Sequence, residues 1–184
     1  MVSVYDVPGT ELIKETAKEL KENKNIQEPA YVNYVKTGAH KERAPQQEGW
    51  YYNRMASILR RIFLDGPVGT ESLRTYYGGR KNRGRRPHKH VKASGKIIRD
   101  CLQALEKEGL VKKEKKGRKI TSKGIALLKK NAKKALEDLR EHPKQKKRIL
   151  TLAKEKTAGA DAGKKKEKRK EKDDPGRDKG KKNK

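Results

Sequence analysis

Large apolar side chains are scarce in this 184-residue chain: Leu, Ile, Val and Phe together number 32, with a single Phe and a single Trp. Only three of those 32 lie beyond Pro143, so a hydrophobic core has to come from residues 1–143, and 144–184 has too little apolar surface to bury one. One cysteine, Cys101, excludes an intramolecular disulfide and a cysteine-based zinc site. Its position on the apolar face of an expected helix makes it a buried, inert thiol. No apolar run approaches the length of a membrane span and the N-terminus lacks a signal-peptide pattern, so a soluble intracellular chain with no membrane partner is expected. The last absence is local. From Arg74 to Arg99 there is no Asp or Glu, whereas ten Lys or Arg and two His fall in the same stretch.

Cations are what the chain has in excess. The formal charge is +27; the segment from Lys144 carries +11 of it and the body +16, so the body is basic in its own right. A neutral partner surface gives no reason to concentrate unpaired cations between Gly78 and Lys92. A polyphosphate does, because each neutralised phosphate releases condensed counterions. Tyr76 and Tyr77, with Arg74, Arg80, Arg83, Arg85 and Arg86, add stacking and forked phosphate contacts. Nucleic acid is implied, RNA before DNA.

Helical periodicity organises the body. A first helix is expected from about Pro8 to Asn23, with Leu12, Ile13, Thr16, Ala17 and Leu20 on one face. Gln27–Lys36 holds enough apolar residues for one short helix closed at Gly38, and Ala39–Gly49 is polar and reads as a loop. Trp50–Leu64 is the strongest helix: Tyr51, Tyr52, Met55, Ala56, Ile58, Leu59, Ile62 and Phe63 fill an arc of about 160°, wide enough for a central helix touched by several others. Its remaining face carries Asn53, Arg54, Ser57, Arg60 and Arg61 with no carboxylate before Asp65. After the turn Gly66–Gly69, Thr70 is expected to cap a short helix to about Tyr77. A basic loop follows, and Ser94 then caps a helix to Glu108 that Gly109 stops. A hairpin bending near Gly117 and a last helix from Ser122 to about Glu141 complete the body. Beyond Pro143 a Lys-rich low-complexity tail, disordered in its final twenty residues, is expected, with a transient helix available between Lys144 and Lys156.

Three helices followed by a two-stranded wing is the order of a winged helix. The expected class is therefore mainly α: a winged-helix-like helical bundle with a small β-hairpin wing (1–143) and a basic disordered C-terminal tail (144–184). The long cationic insertion before the third helix favours backbone tracking over an irregular surface. The alternative is a winged-helix DNA-binding transcriptional regulator, dimeric, using Arg99 and Gln103 on bases of a palindromic site.

Particular stretches carry a resemblance: VYDVPGTELI (Val4–Ile13), YVKTG (Tyr34–Gly38), HKERAP (His40–Pro45), ASILRRIFLDGPVG (Ala56–Gly69), LRTYYGGRKNRGRRP (Leu73–Pro87), KASGKIIRDCLQALEKEGLV (Lys92–Val111) and GRKITSKGIALL (Gly117–Leu128). Over about the first 140 residues the chain resembles the archaeal and eukaryotic small-subunit ribosomal protein family numbered nineteen in the eukaryotic-type series. The resemblance implies a winged-helix-like protein in the head of the small ribosomal subunit, cytoplasmic with the ribosome. Its implied partners are ribosomal RNA and neighbouring small-subunit ribosomal proteins, and its implied role includes maturation of the small-subunit precursor RNA. Tyr31 stands near a position that looks like tryptophan in relatives, and the tail beyond Pro143 is outside the family's pattern.

The expected RNA surface has three pieces. The first is the polar face of the central helix, Arg54, Ser57, Arg60 and Arg61, with Trp50 at its edge. The second is Arg80, Lys81, Arg83, Arg85, Arg86, His88, Lys89, His90 and Lys92, flanked by Arg74 and Tyr77. The third is Ser94, Gly95 and Lys96, whose backbone N–H groups open a helix toward a phosphate. Gly78, Gly79 and Gly84 permit close approach of the backbone. His88 and His90, two apart without a carboxylate or thiolate nearby, suit base or phosphate contact better than a metal. The wing cations Lys112, Lys113, Lys115, Lys116, Arg118 and Lys119 are either a second RNA surface or a solvated face, and Lys129, Lys130, Lys133 and Lys134 read as solvated. Gly66–Thr70 lacks the lysine of a phosphate-binding P-loop, and no triad spacing appears, so no enzyme, cofactor or small-molecule substrate is expected.

Overall fold

A computed structural model describes residues 2–141; the tail expected over 144–184, with its transient helix, lies outside the described residues. The elements in chain order are α1 (Gly9–Glu22), a 3-10 turn (Ala30–Asn33), α2 (Trp50–Asp65), α3 (Thr70–Tyr76), β1 (Gly79–Arg83), β2 (Arg86–Val91), α4 (Gly95–Lys107), β3 (Val111–Glu114), β4 (Gly117–Ile120) and α5 (Ser122–Glu141). Residues through Glu137 form one compact unit, and the last turn of α5 opens a second.

The wide apolar arc puts α2 at the centre. Met55, Ala56, Ile58, Leu59 and Ile62 are fully buried, and α2 packs on α1, α4 and β4. Leu12 and Leu20 of α1 and Ile98, Leu102 and Leu105 of α4 close the core around it. Each such side chain contributes about 1.5–3 kcal/mol of burial. Cys101 is buried on α4, as its place in the sequence requires, and burial pushes its thiol up to about 12. On α5, Leu128, Ala132 and Ala135 are buried, whereas Leu139, at the same helical spacing, is exposed.

The winged-helix order is realised by α2, α3, α4, β3 and β4. Leu110 N–H donates to the Leu105 carbonyl at 3.0 Å and Gly109 N–H to that of Glu106 at 2.9 Å, the paired bonds of a glycine-terminated helix. Val68 forms an isolated antiparallel bridge to the wing, exchanging N–H···O bonds of 3.0 and 3.1 Å with Arg118. Gly117 sits at φ 133° where a β-carbon would stand 2.8 Å from the Val68 backbone, so only glycine allows this closure.

Three local expectations change. The segment Gln27–Lys36 forms only the single 3-10 turn Ala30–Asn33, because Pro29 forces an extended start and Gly38 instead bridges Ala93. Thr70 is the first residue of α3 and caps nothing; its hydroxyl accepts from Arg118 Nη1 at 3.3 Å, and Gly69 holds the cap position. The basic loop is a second antiparallel hairpin, β1–β2, with Gly84–Arg85 as its turn and a bulge between Lys81 and Arg83. Among the described residues no helix is long and apolar enough to cross a membrane.

Candidate nucleic-acid interface

The β1–β2 hairpin is an arm held at its base and free along its length. At the base, Ala93 N–H donates to the Arg74 carbonyl at 2.9 Å, Arg74 Nε donates to the Ala93 carbonyl at 3.2 Å, and Ser94 N–H donates to the Thr37 carbonyl at 3.0 Å. His40 is wedged there between Gly38 and Gly79, so close that a β-carbon on either would meet its ring at 2.8–2.9 Å. Its Nδ1 is buried with no hydrogen-bond partner, and burial first, then Lys41, Arg54 and His90, hold its pKa below the ordinary 6.5. From Arg80 to His90 every residue is exposed. At the turn, Gly84 takes φ 65° and its N–H donates to Asn82 Oδ1 at 3.0 Å.

Register places like charges face to face: Lys81 opposite Lys89 and Arg83 opposite Arg86, with Arg80 opposite His90. Opposed like charges destabilise a sheet pair, and a two-stranded hairpin with no apolar face is marginal alone. No carboxylate among the described residues pairs with Arg80, Lys81, Arg83, Arg85, Arg86 or Lys89. Nothing among the described residues answers those six charges; a polyanion would relieve their repulsion. His88 and His90 lie on one face of β2, and among the described residues no group of three or more His, Cys, Asp or Glu could hold a metal.

Other expected contacts are already engaged inside the fold. Glu71 binds both Arg74 Nη1 at 2.6 Å and Lys92 Nζ at 3.0 Å, and these two partners, Arg74 first, hold its carboxyl below the usual range. Arg74 and Lys92 therefore brace the arm's base. The polar face of α2, read as uncompensated, is largely tied down as well. Arg61 pairs with Asp65 one turn on and lies 4.2 Å over the Tyr76 ring. Arg60 lies against Gly9 with its Nε buried and unpartnered, and Ser57 shares a 2.8 Å hydrogen bond with the Tyr77 hydroxyl. Ser94 stands at the N-cap of α4 without a side-chain cap bond, and its own N–H, expected free, is taken by Thr37. Lys96 is drawn 4.8 Å over the Tyr31 ring, whose hydroxyl donates to Asp100.

Arg54 is different. It is half-buried, stacked 4.1 Å over the Tyr77 ring, and has no carboxylate partner among the described residues. Burial is the main influence and lowers its pKa from the ordinary value. It faces a cavity of about 550 Å³ between α2 and the 39–49 loop, lined by Lys41, Arg43, Trp50, Asn53, Arg54, Ser57 and Tyr77 among others. Lys41 and Arg43, in the stretch expected as a polar loop, carry no charge signal in the sequence, because Glu42 and Glu48 balance them. The chain order alone could not bring it against α2.

Residues 3–138 match the family model described as Ribosomal protein S19e. The chain is 46% identical over 139 residues to the small ribosomal subunit protein eS19 of Candida albicans, covering 74% of this chain and 96% of that protein. It is 44% identical over 142 residues to the eS19 protein of Aeropyrum pernix, covering 76% and 93%. Identity to the eS19 protein of Thermoplasma volcanium is 40% over 139 residues, with the same coverage of 76% and 93%.

Proposed function

The chain belongs to the Ribosomal protein S19e family, and from that premise we propose that it is a structural constituent of the small ribosomal subunit that binds ribosomal RNA. Its place is the subunit head, in the cytoplasm, beside other small-subunit proteins, and its binding assists maturation of the small-subunit precursor RNA. The observation that carries the RNA-binding part is the arm: six exposed cations, four of them opposed in the like-charge pairs Lys81–Lys89 and Arg83–Arg86, with no carboxylate partner among the described residues. The mechanism is charge neutralisation along an RNA backbone by a hairpin whose base is braced by a rigid helical core. A DNA-binding regulator, with Arg99 and Gln103 reading bases, is not favoured by relatives that are named as ribosomal proteins. No residue is assigned a catalytic role, and no cofactor is required for this mechanism.

Sedimentation of the cellular protein through a sucrose gradient tests the reading. The full chain is expected with the small subunits, and a chain with Arg83, Arg85 and Arg86 replaced by Ala is expected to shift toward the light fractions. Full-length protein that stays light, while footprinting finds a defined duplex operator, would replace this reading with the regulator.

A further inference from the structure

The arm accounts for backbone charge and leaves the cavity beside α2 without a role. We propose that this cavity receives one unpaired RNA nucleotide, its base against the aromatic wall and its phosphate among the cations; the proposal rests on the RNA-binding reading and adds to it a second, structure-selective site.

Four observations carry it. The volume, about 550 Å³, falls within the range of roughly 300–1,000 Å³ typical of small-ligand sites. The lining joins two aromatic side chains, Trp50 and Tyr77, to three cations, Lys41, Arg43 and Arg54, and contains no carboxylate. Ile13, Ala44 and Pro45 complete the apolar part of the wall; a purely apolar guest would leave the three cations unanswered and a cation would be repelled by them, whereas a planar base bearing a phosphate matches both parts. Arg54 already places its guanidinium carbon 4.1 Å from the Tyr77 ring centroid with no carboxylate partner among the described residues, so a base entering the cavity can add to an existing cation–aromatic contact while its phosphate supplies an anion. Asn53, half-buried in the same wall, offers an amide donor and acceptor side by side, the pair that a base edge requires. A paired base cannot reach into a cavity of this kind. The site therefore selects bulges, loops and strand ends, where extruding the base costs least.

The test compares two RNA hairpins identical except for one bulged 2-aminopurine nucleotide, each titrated into the full chain. The bulged RNA is expected to bind about tenfold more tightly, the size of one base–aromatic stack, with loss of 2-aminopurine emission on binding. Trp50→Leu and, independently, Arg43→Ala should each bring the ratio of the two affinities to about one. Arg43 stands on an exposed loop, so its replacement keeps the test decisive if Trp50→Leu fails to fold. Replacing the three arm arginines should weaken both RNAs and preserve the ratio. Trp50 is the chain's single tryptophan, so quenching of its emission by adenosine monophosphate, and not by inorganic phosphate, should report occupancy of the cavity directly. Equal binding of the two hairpins by the full chain overturns the nucleotide site and leaves the arm standing. Failure to bind either RNA overturns both. Quenching by an acidic hexapeptide as strong as that by the nucleotide would make the cavity a protein-docking site and also overturn the proposal.

Discussion

The chain builds two antiparallel hairpins from similar basic residues and anchors them differently. The wing, β3–β4, is joined to the fold at Val111 and along β4, with Lys112 to Lys116 exposed. Val111 is buried, Val68 pairs with Arg118, and Thr121 Oγ1 reaches the Gly109 and Leu110 carbonyls at 2.7 and 3.0 Å. Arg118 turns inward to Glu106 at 2.6 Å, in a pair whose side chains are only 17% and 26% exposed. The arm, β1–β2, is fixed at its base, through Thr37, His40, Glu71, Arg74 and Ala93, and its strands expose both faces from Arg80 to His90. Like charges oppose one another in both hairpins, Lys112 with Lys119 in the wing and Lys81 with Lys89 in the arm. In the wing the core offsets that repulsion. In the arm nothing within the described residues does. Charge that a fold tolerates and charge that a fold leaves unanswered look alike in composition, and only the second kind points outward to a partner.

Substitutions can break this contrast from either side. The largest effect is expected in the arm: Arg83→Ala, Arg85→Ala and Arg86→Ala together should lower RNA affinity by about a hundredfold, given about 1 kcal/mol for each exposed ion pair with a phosphate. The slope of log affinity against log salt should fall by about two to three, and the melting temperature should not move. Filter binding between 50 and 200 mM salt with thermal denaturation checks all three; a lower melting temperature would make the arm part of the fold. The complementary change is Gly117→Ala in the wing. Positive φ and a β-carbon 2.8 Å from the Val68 backbone should cost about 1–3 kcal/mol of stability in a denaturant titration, with RNA affinity per folded molecule unchanged. Arg118→Met should cost less, about 1 kcal/mol, through loss of the partly buried Glu106 pair. The smallest effect is at the arm's base. Since His40 titrates lower in the folded chain than in the unfolded one, the unfolded chain binds the proton first on acidification. Stability present above about pH 6.5 is then lost as the pH falls through the lower folded value. His40→Gln should shallow the dependence of melting temperature on pH below neutrality, and an unchanged slope would remove His40 from the base of the arm.

How much could be read without coordinates follows the same division. The central helix and the α4 stop were legible because burial imposes a 3.6-residue apolar period and a left-handed glycine ends it. The arm was legible as charge and not as structure. A strand exposed on both faces has no alternation, and Pro87 inside β2 further masks it, so the segment passed for a loop. The 3-10 turn was overread because the apolar cluster around Tyr31 and Val32 is too short for period to decide.

Amino-acid order alone determined the helical body, the wing and the concentration of cations between Gly78 and Lys92, because each is written in local pattern: period, turn residues and charge. Tertiary structure decided which cations remain free. Glu71 meets Lys92 from 21 positions away, and Arg54 meets no acid among the described residues while Lys41 and Arg43 join it from another segment. An ion pair depends on distance through space at the range of a few ångströms, and folding sets that distance without regard to separation along the chain.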